Sequence, residues 1–79
     1  MHIKSLISTD LDILSGTPVF TGTRVPVESL FDHLEAGVSL DDFLEDFPSV
    51  SKQHAIAVLD AANKFLTSKN VVELYETVT

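Results

Sequence analysis

Two prolines, Pro18 and Pro26, restrict this chain more than any other feature. They sit within the stretch GTPVFTGTRVPV at residues 16–27. Proline has no backbone N–H to give to a ladder. Pro18-Val19-Phe20 and Val25-Pro26-Val27 therefore suit edge strands, or a hairpin at a sheet margin. Between them Gly22 can take a positive φ without steric cost. Pro26 also fits the entry to a helix, where an unpaired N–H is lost anyway and the fixed φ is already helical.

Helical periodicity begins at that point. Val27, Leu30, Phe31 and Leu34 fall on one stripe, with Glu28, Asp32 and Glu35 opposite. Glu28 lies near the positive end of the helix dipole, and Gly37 fits the left-handed residue that ends a helix. Ser39 is an N-cap for a second helix, with Asp42 in the position a capping box usually gives to Glu or Gln. Leu40, Phe43, Leu44 and Phe47 form its apolar stripe, and Pro48 stops it. Ser51 caps a third helix. There Ala55, Val58, Leu59, Ala62, Phe65 and Leu66 span about 120° of the wheel, which predicts a core-facing helix over 52–67.

The ends are less regular. Residues 3–7 (IKSLI) alternate roughly and predict a short strand. Residues 10–14 fit a helical turn or a loop, closed by Ser15-Gly16. Residues 71–76 fit a helix turn, a strand or a flexible arm. The expected fold is mainly α: an N-terminal β hairpin, then a three-helix, helix-turn-helix-like bundle. It forms one domain, with a strand or hairpin arm at 1–27, the helical core at 28–67 and a tail at 68–79.

A chain of 79 residues without cysteine has no disulfide to staple it. Its edge strands invite pairing, so a homodimer is expected. A mean hydropathy of +0.23 leaves apolar surface for a partner. No run approaches the roughly 18 apolar residues of a membrane span. Nor is there a signal-peptide core near the N-terminus, so a soluble cytoplasmic protein is expected.

The net charge of −7 is uneven. Residues 26–50 hold seven carboxylates and no Lys or Arg. Residues 51–70 hold Lys52, Lys64 and Lys69 against Asp60. A nucleic-acid binder normally presents a basic surface, whereas an acidic stretch suits a basic protein partner. The DNA-facing candidates are Lys52, Gln53, His54 and Lys64 on the third helix: Lys52 for a phosphate, Gln53 for adenine in the major groove. Asp60 on the same face would repel DNA, and the alternative is a solvated helix face.

Arg24 has two readings. Its guanidinium contacts a phosphate or a partner carboxylate, or it pairs with an acidic residue of its own fold or dimer and fixes the hairpin. Ile56, off the core stripe, can join Val71, Val72, Leu74 and Tyr75 in a dimer or partner contact. His2, His33 and His54 have no metal-motif spacing, so no metal or other cofactor is expected. The chain holds no nucleophile–base pair and no phosphate-binding glycine loop, so it is not expected to be an enzyme.

The residues carry a more specific pattern. It runs from Ile7-Ser8-Thr9-Asp10 through Ile13-Leu14-Ser15-Gly16-Thr17-Pro18-Val19-Phe20 and Gly22-Thr23-Arg24-Val25-Pro26-Val27. It continues in Ala36-Gly37-Val38-Ser39 and Phe47-Pro48. Over about residues 5–65 this resembles the bacterial and cyanobacterial family numbered four hundred and thirty-three among the domains of unknown function. The family is similar to VapB-type antitoxins. The resemblance implies a dimeric helix-turn-helix protein, often encoded beside a PIN-like nuclease toxin that it binds, with its own operator DNA as a second partner. The chain departs from the usual pattern at Ser15 and Thr17, where Gly and Lys are common. The missing lysine removes a positive group beside the hairpin. The competing expectation is an acidic protein-interaction module with no DNA binding.

Overall fold

The computed structural model describes residues 3–78. The elements are α1 (Ile3–Leu6), β1 (Ile7–Ser8), β2 (Val19–Phe20), α2 (Val27–Glu35), α3 (Leu40–Asp46), α4 (Lys52–Leu66) and α5 (Lys69–Val78). The architecture is mainly α with an N-terminal antiparallel β pair, as expected.

β2 is the centre of the small sheet. On one side β1 pairs with it antiparallel, Ile7 opposite Phe20 and Ser8 opposite Val19. On the other side Val19 faces Pro26 across a β-bridge. The Phe20 N–H donates to the Val25 carbonyl at 2.9 Å, and the Val27 N–H donates to the Pro18 carbonyl at 3.0 Å. These two bonds flank the Val19–Pro26 pair. That pair is thus the non-hydrogen-bonded position of the ladder, where a residue without an N–H loses nothing. Gly22 turns the chain at φ +83°. Thr23 locks the turn: its hydroxyl donates to the Phe20 carbonyl at 2.8 Å and accepts from the Val25 N–H at 3.0 Å.

Successive strand side chains point to opposite faces, yet Val19 and Phe20 are both buried, at 1% and 0% exposure. Phe20 belongs to the main core cluster, and Val19 lies outside it. Leu30 of α2, Phe43 of α3, and Ala55 and Val58 of α4 complete the core with Leu6, Val25, Val27 and Val50. A chain of rings crosses it. The His54 ring meets Phe20 edge-on at 5.2 Å, Phe20 lies 6.3 Å from Phe43, and Phe43 lies 4.9 Å from Phe47. Such tilted and edge-on pairs add about 0.5–1.5 kcal/mol each beyond burial.

The helix starts follow their caps. The Ser39 hydroxyl accepts from the Asp42 N–H at 3.1 Å, and the Ser51 hydroxyl accepts from the His54 N–H at 3.0 Å. Gly37, at φ +83°, closes α2.

Two readings differ from expectation, and one left open between helix, strand and arm is decided. Residues 3–6 form a helical turn rather than a strand, and pairing is confined to Ile7–Ser8. The turn carries Leu6 into the core at 4% exposure, which a straight strand paired along β2 would not do. The C-terminal segment is a ten-residue helix, α5. Finally, Phe65 and Leu66 are not core residues. They are 64% and 62% exposed: Phe65 only rims an open groove with Ile7, Val27 and Phe31, and Leu66 lines a cleft toward α5.

The loop before β2 is organised by Asp10. Its carbonyl accepts from the Ile13 and Gly16 N–H groups, and its carboxylate accepts from the Asp12 N–H at 2.8 Å. Leu14, Ser15 and Gly16 then take φ +50°, +56° and +88° in succession. The Thr17 hydroxyl donates to the Leu14 carbonyl at 2.8 Å and fastens this turn. Left-handed backbone is unfavourable for residues with a Cβ. Replacing Ser15 by Gly is expected to stabilise the fold by about 0.5–1 kcal/mol after the larger unfolded-state entropy of glycine is subtracted. Urea unfolding checks this, and an unchanged or lower midpoint contradicts it.

Candidate functional site

The helix-turn-helix order predicted by the sequence is present in α3 and α4, which are joined by residues 47–51. Its polar residues do not assemble into a basic patch. Lys52 lies 3.6 Å from the Asp41 carboxylate, and Lys64 lies 3.0 Å from Asp60, one helical turn back. Both pairs are exposed, so each contributes no more than about 1 kcal/mol. They nonetheless place a carboxylate beside each ammonium. Twelve positions of helix also separate the two lysines by roughly 18 Å. Gln53 is exposed at the start of α4.

His54 belongs to the fold. It is half-buried, and its Nε2–H donates to the Leu6 carbonyl at 2.8 Å. A carbonyl only accepts, so the proton sits on Nε2. His33 is used similarly: its Nδ1–H donates to the Ser29 carbonyl, its ring packs edge-on to Phe43 and Phe47, and Nε2 lies 3.9 Å from Asp46. His2 lies outside the described residues.

Arg24 follows the hairpin turn and is exposed. Among the described residues it joins none of the ion pairs, so the clamp onto the chain's own acidic helices is not formed.

The acidic residues form the larger electrostatic feature. Glu28, Asp32 and Glu35 on α2, and Asp41, Asp42, Glu45 and Asp46 on α3, are all exposed. Of these, Asp41 and Asp46 have the neighbours named above. The other five take part in no ion pair among the described residues.

A second feature is apolar. Ile56 is 48%, Val72 44% and Tyr75 70% exposed. Val72 and Tyr75, with Leu66, Val71 and Glu76, line an open cleft of about 350 Å³ between α4 and α5. Ile56 lies elsewhere on α4 and is not part of it. A smaller apolar groove of about 220 Å³ runs along the inner edge of α4, lined by Ile7, Val27, Phe31, Val58, Ala61, Ala62 and Phe65. Sequence periodicity places Leu66 in the core and so misses its part in the cleft. The signal available is the Thr67-Ser68 break, since α4 ends at Leu66. Leu11, at 84% exposure on the Asp10 loop, also escapes a reading by periodicity.

Fold and surface together define a small helical domain built around a β pair, with charged and apolar faces open to partners. The chain belongs to the family described as Protein of unknown function (DUF433), whose profile matches residues 7–61. It is similar to the uncharacterized protein y4eO of Sinorhizobium fredii, with 40% identity over 50 residues. That match covers 63% of this chain but only 23% of the relative. The matched stretch is thus one part of a longer protein there. No solved structure matches the chain. Among the described residues, no helix is long and apolar enough to cross a membrane.

His54 joins residues far apart in sequence, and its loss is expected to be felt globally. His54→Ala removes the Nε2 donor, leaves the part-buried Leu6 carbonyl with one partner, and strips the ring from Phe20. A loss of about 2–3 kcal/mol is expected. Gln53→Ala, one position away and exposed, is expected to change stability by less than about 0.5 kcal/mol. Chemical denaturation of both variants separates the roles; equal effects would contradict the assignment.

Proposed function

We propose that this protein is a non-enzymatic, homodimeric regulator of the antitoxin type, and that it works mainly by covering a basic protein surface with its α2–α3 face. The observation that carries the reading is the run of seven exposed carboxylates on adjacent helices, with no Lys or Arg among residues 26–50. Such a face steers a cationic partner into encounter and suppresses acidic ones. A nuclease needs positive charge to hold its nucleic acid, so the implied PIN-like toxin is a partner of the right sign. Masking that surface would inhibit it by competition.

Operator contact is the secondary role. Gln53 and Lys52 stand at the start of α4, where a recognition helix meets base edges. Asp41 and Asp60 beside the two lysines reduce the number of phosphates α4 can neutralise. The corresponding salt dependence is shallow and the affinity low.

Co-purification with the product of the adjacent gene tests the main reading. The complex is expected to weaken at least tenfold when Asp42 and Glu45 are both changed to Lys, and to weaken with added salt. A complex indifferent to both changes refutes the acidic-face mechanism. In an electrophoretic shift with upstream DNA, the free dimer is expected to bind only at low salt. A tight, salt-resistant shift abolished by Gln53→Ala would reverse the order of the two roles.

A further inference from the structure

We propose that α5 pairs antiparallel with α5 of a second copy, with Lys69 of each chain facing Glu76 of the other. This deepens the dimer named above by giving it a surface. It is independent of the acidic face, so the failure of either leaves the other standing.

Helix α5 is ten residues long and packs against little besides the end of α4. A helix of that length is marginal in water without an apolar face to bury. Its apolar residues are instead largely open. Val71, Val72 and Tyr75 fall within about 100° of the wheel, and Val72 and Tyr75 are 44% and 70% exposed. Leu66, 62% exposed, extends the same cleft onto α4.

The charges select the occupant. An isolated helix favours acidic groups in its first turn and basic groups in its last. α5 has neither. It begins with Lys69 and carries Glu76 near its end, the reverse of what its own dipole prefers. In an antiparallel pair the same residues become favourable, since Lys69 approaches the partner's C-terminal end and Glu76 its N-terminal end. Both side chains are exposed. They lie within about 20° of each other on the wheel, beside Val72, at flanking positions like those that set partner choice in paired helices. A two-fold axis perpendicular to the helices brings a flank onto the same flank of the partner. Centred between Val72 and Glu73, it places Lys69 opposite Glu76 twice and brings the two Val72 side chains together at the middle. The face is therefore complementary to itself, as an isologous interface requires.

A contact between two ten-residue helices is smaller than a standard specific interface, so a weak dimer is expected.

Charge reversal gives a test specific to a second copy. Lys69→Glu places a carboxylate at both flanking positions of a chain, and Glu76→Lys places an ammonium at both. Each variant alone is expected to dimerise about tenfold more weakly than the natural chain in sedimentation velocity at low salt. An equimolar mixture is expected to recover the natural affinity. In the mixed pair the doubly acidic flank of the Lys69→Glu chain meets the doubly basic flank of the Glu76→Lys chain, so both contacts again join opposite charges. Helical circular dichroism of each variant checks that the fold is intact. The proposal is overturned if the natural chain is monomeric at tens of micromolar, if the single variants dimerise as well as it does, or if mixing restores nothing.

Discussion

The Leu6 carbonyl is the node through which the separate parts of this molecule are joined. It accepts from the Thr21 N–H at 3.0 Å and from the His54 Nε2–H at 2.8 Å. Both lone pairs of one oxygen are thereby used. Thr21 belongs to the hairpin turn and His54 to α4, so one carbonyl ties the N-terminal segment to the sheet and to the longest helix. The short helical turn α1 follows from this: it aims the carbonyl at α4 while burying the Leu6 side chain. The same histidine then presents its ring to Phe20, which passes the contact on to Phe43. A domain of 79 residues has little core to spare, and this node lets three non-contiguous elements share it.

Much of the fold was legible where its causes were local. Pro26 as a helix entry, Gly37 as a helix end, and Ser39 and Ser51 as N-caps each act over a few residues, and each stands where periodicity placed it. The turn between Val19-Phe20 and Val25 was legible for the same reason, but the edge position was not: β1, from residues distant in sequence, pairs with the other side of β2 and makes Val19 and Phe20 central. What was not legible depends on distance. The turn at residues 3–6 ends in a bond spanning 48 positions, which no local pattern reports. Phe65 and Leu66 continue the apolar stripe of α4, and a wheel says nothing about where the covering layer stops.

The candidate site divides along the same line. The acidic composition of α2 and α3 was plain, because charged residues on the polar side of a stripe are exposed almost by construction. The role of His54 was not, because a histidine in the first turn of an exposed helix looks the same whether it faces solvent or a carbonyl from another element. Lys52 and Lys64 were legible as cations but not as cations already beside Asp41 and Asp60. For Lys64 the i, i+4 spacing to Asp60 was available as a signal; for Lys52 the partner lies on another helix.

Net charge also bears on how such a protein can associate. A chain of charge −7 repels its own copies, and that repulsion is strongest where carboxylates concentrate. Contact between two α2–α3 faces would bring fourteen carboxylates together and is the least favourable arrangement, since each face contributes seven. Residues 51–70, with three lysines against one aspartate, carry no such concentration of carboxylates. The open apolar cleft at the α4–α5 junction adjoins that segment. Self-association there leaves the acidic face turned to solvent, and a dimer then carries two such faces. Two faces held in one body raise the effective concentration of the second contact once the first has formed. In this way an interface of modest area at α5 would increase the grip of an acidic surface it never touches.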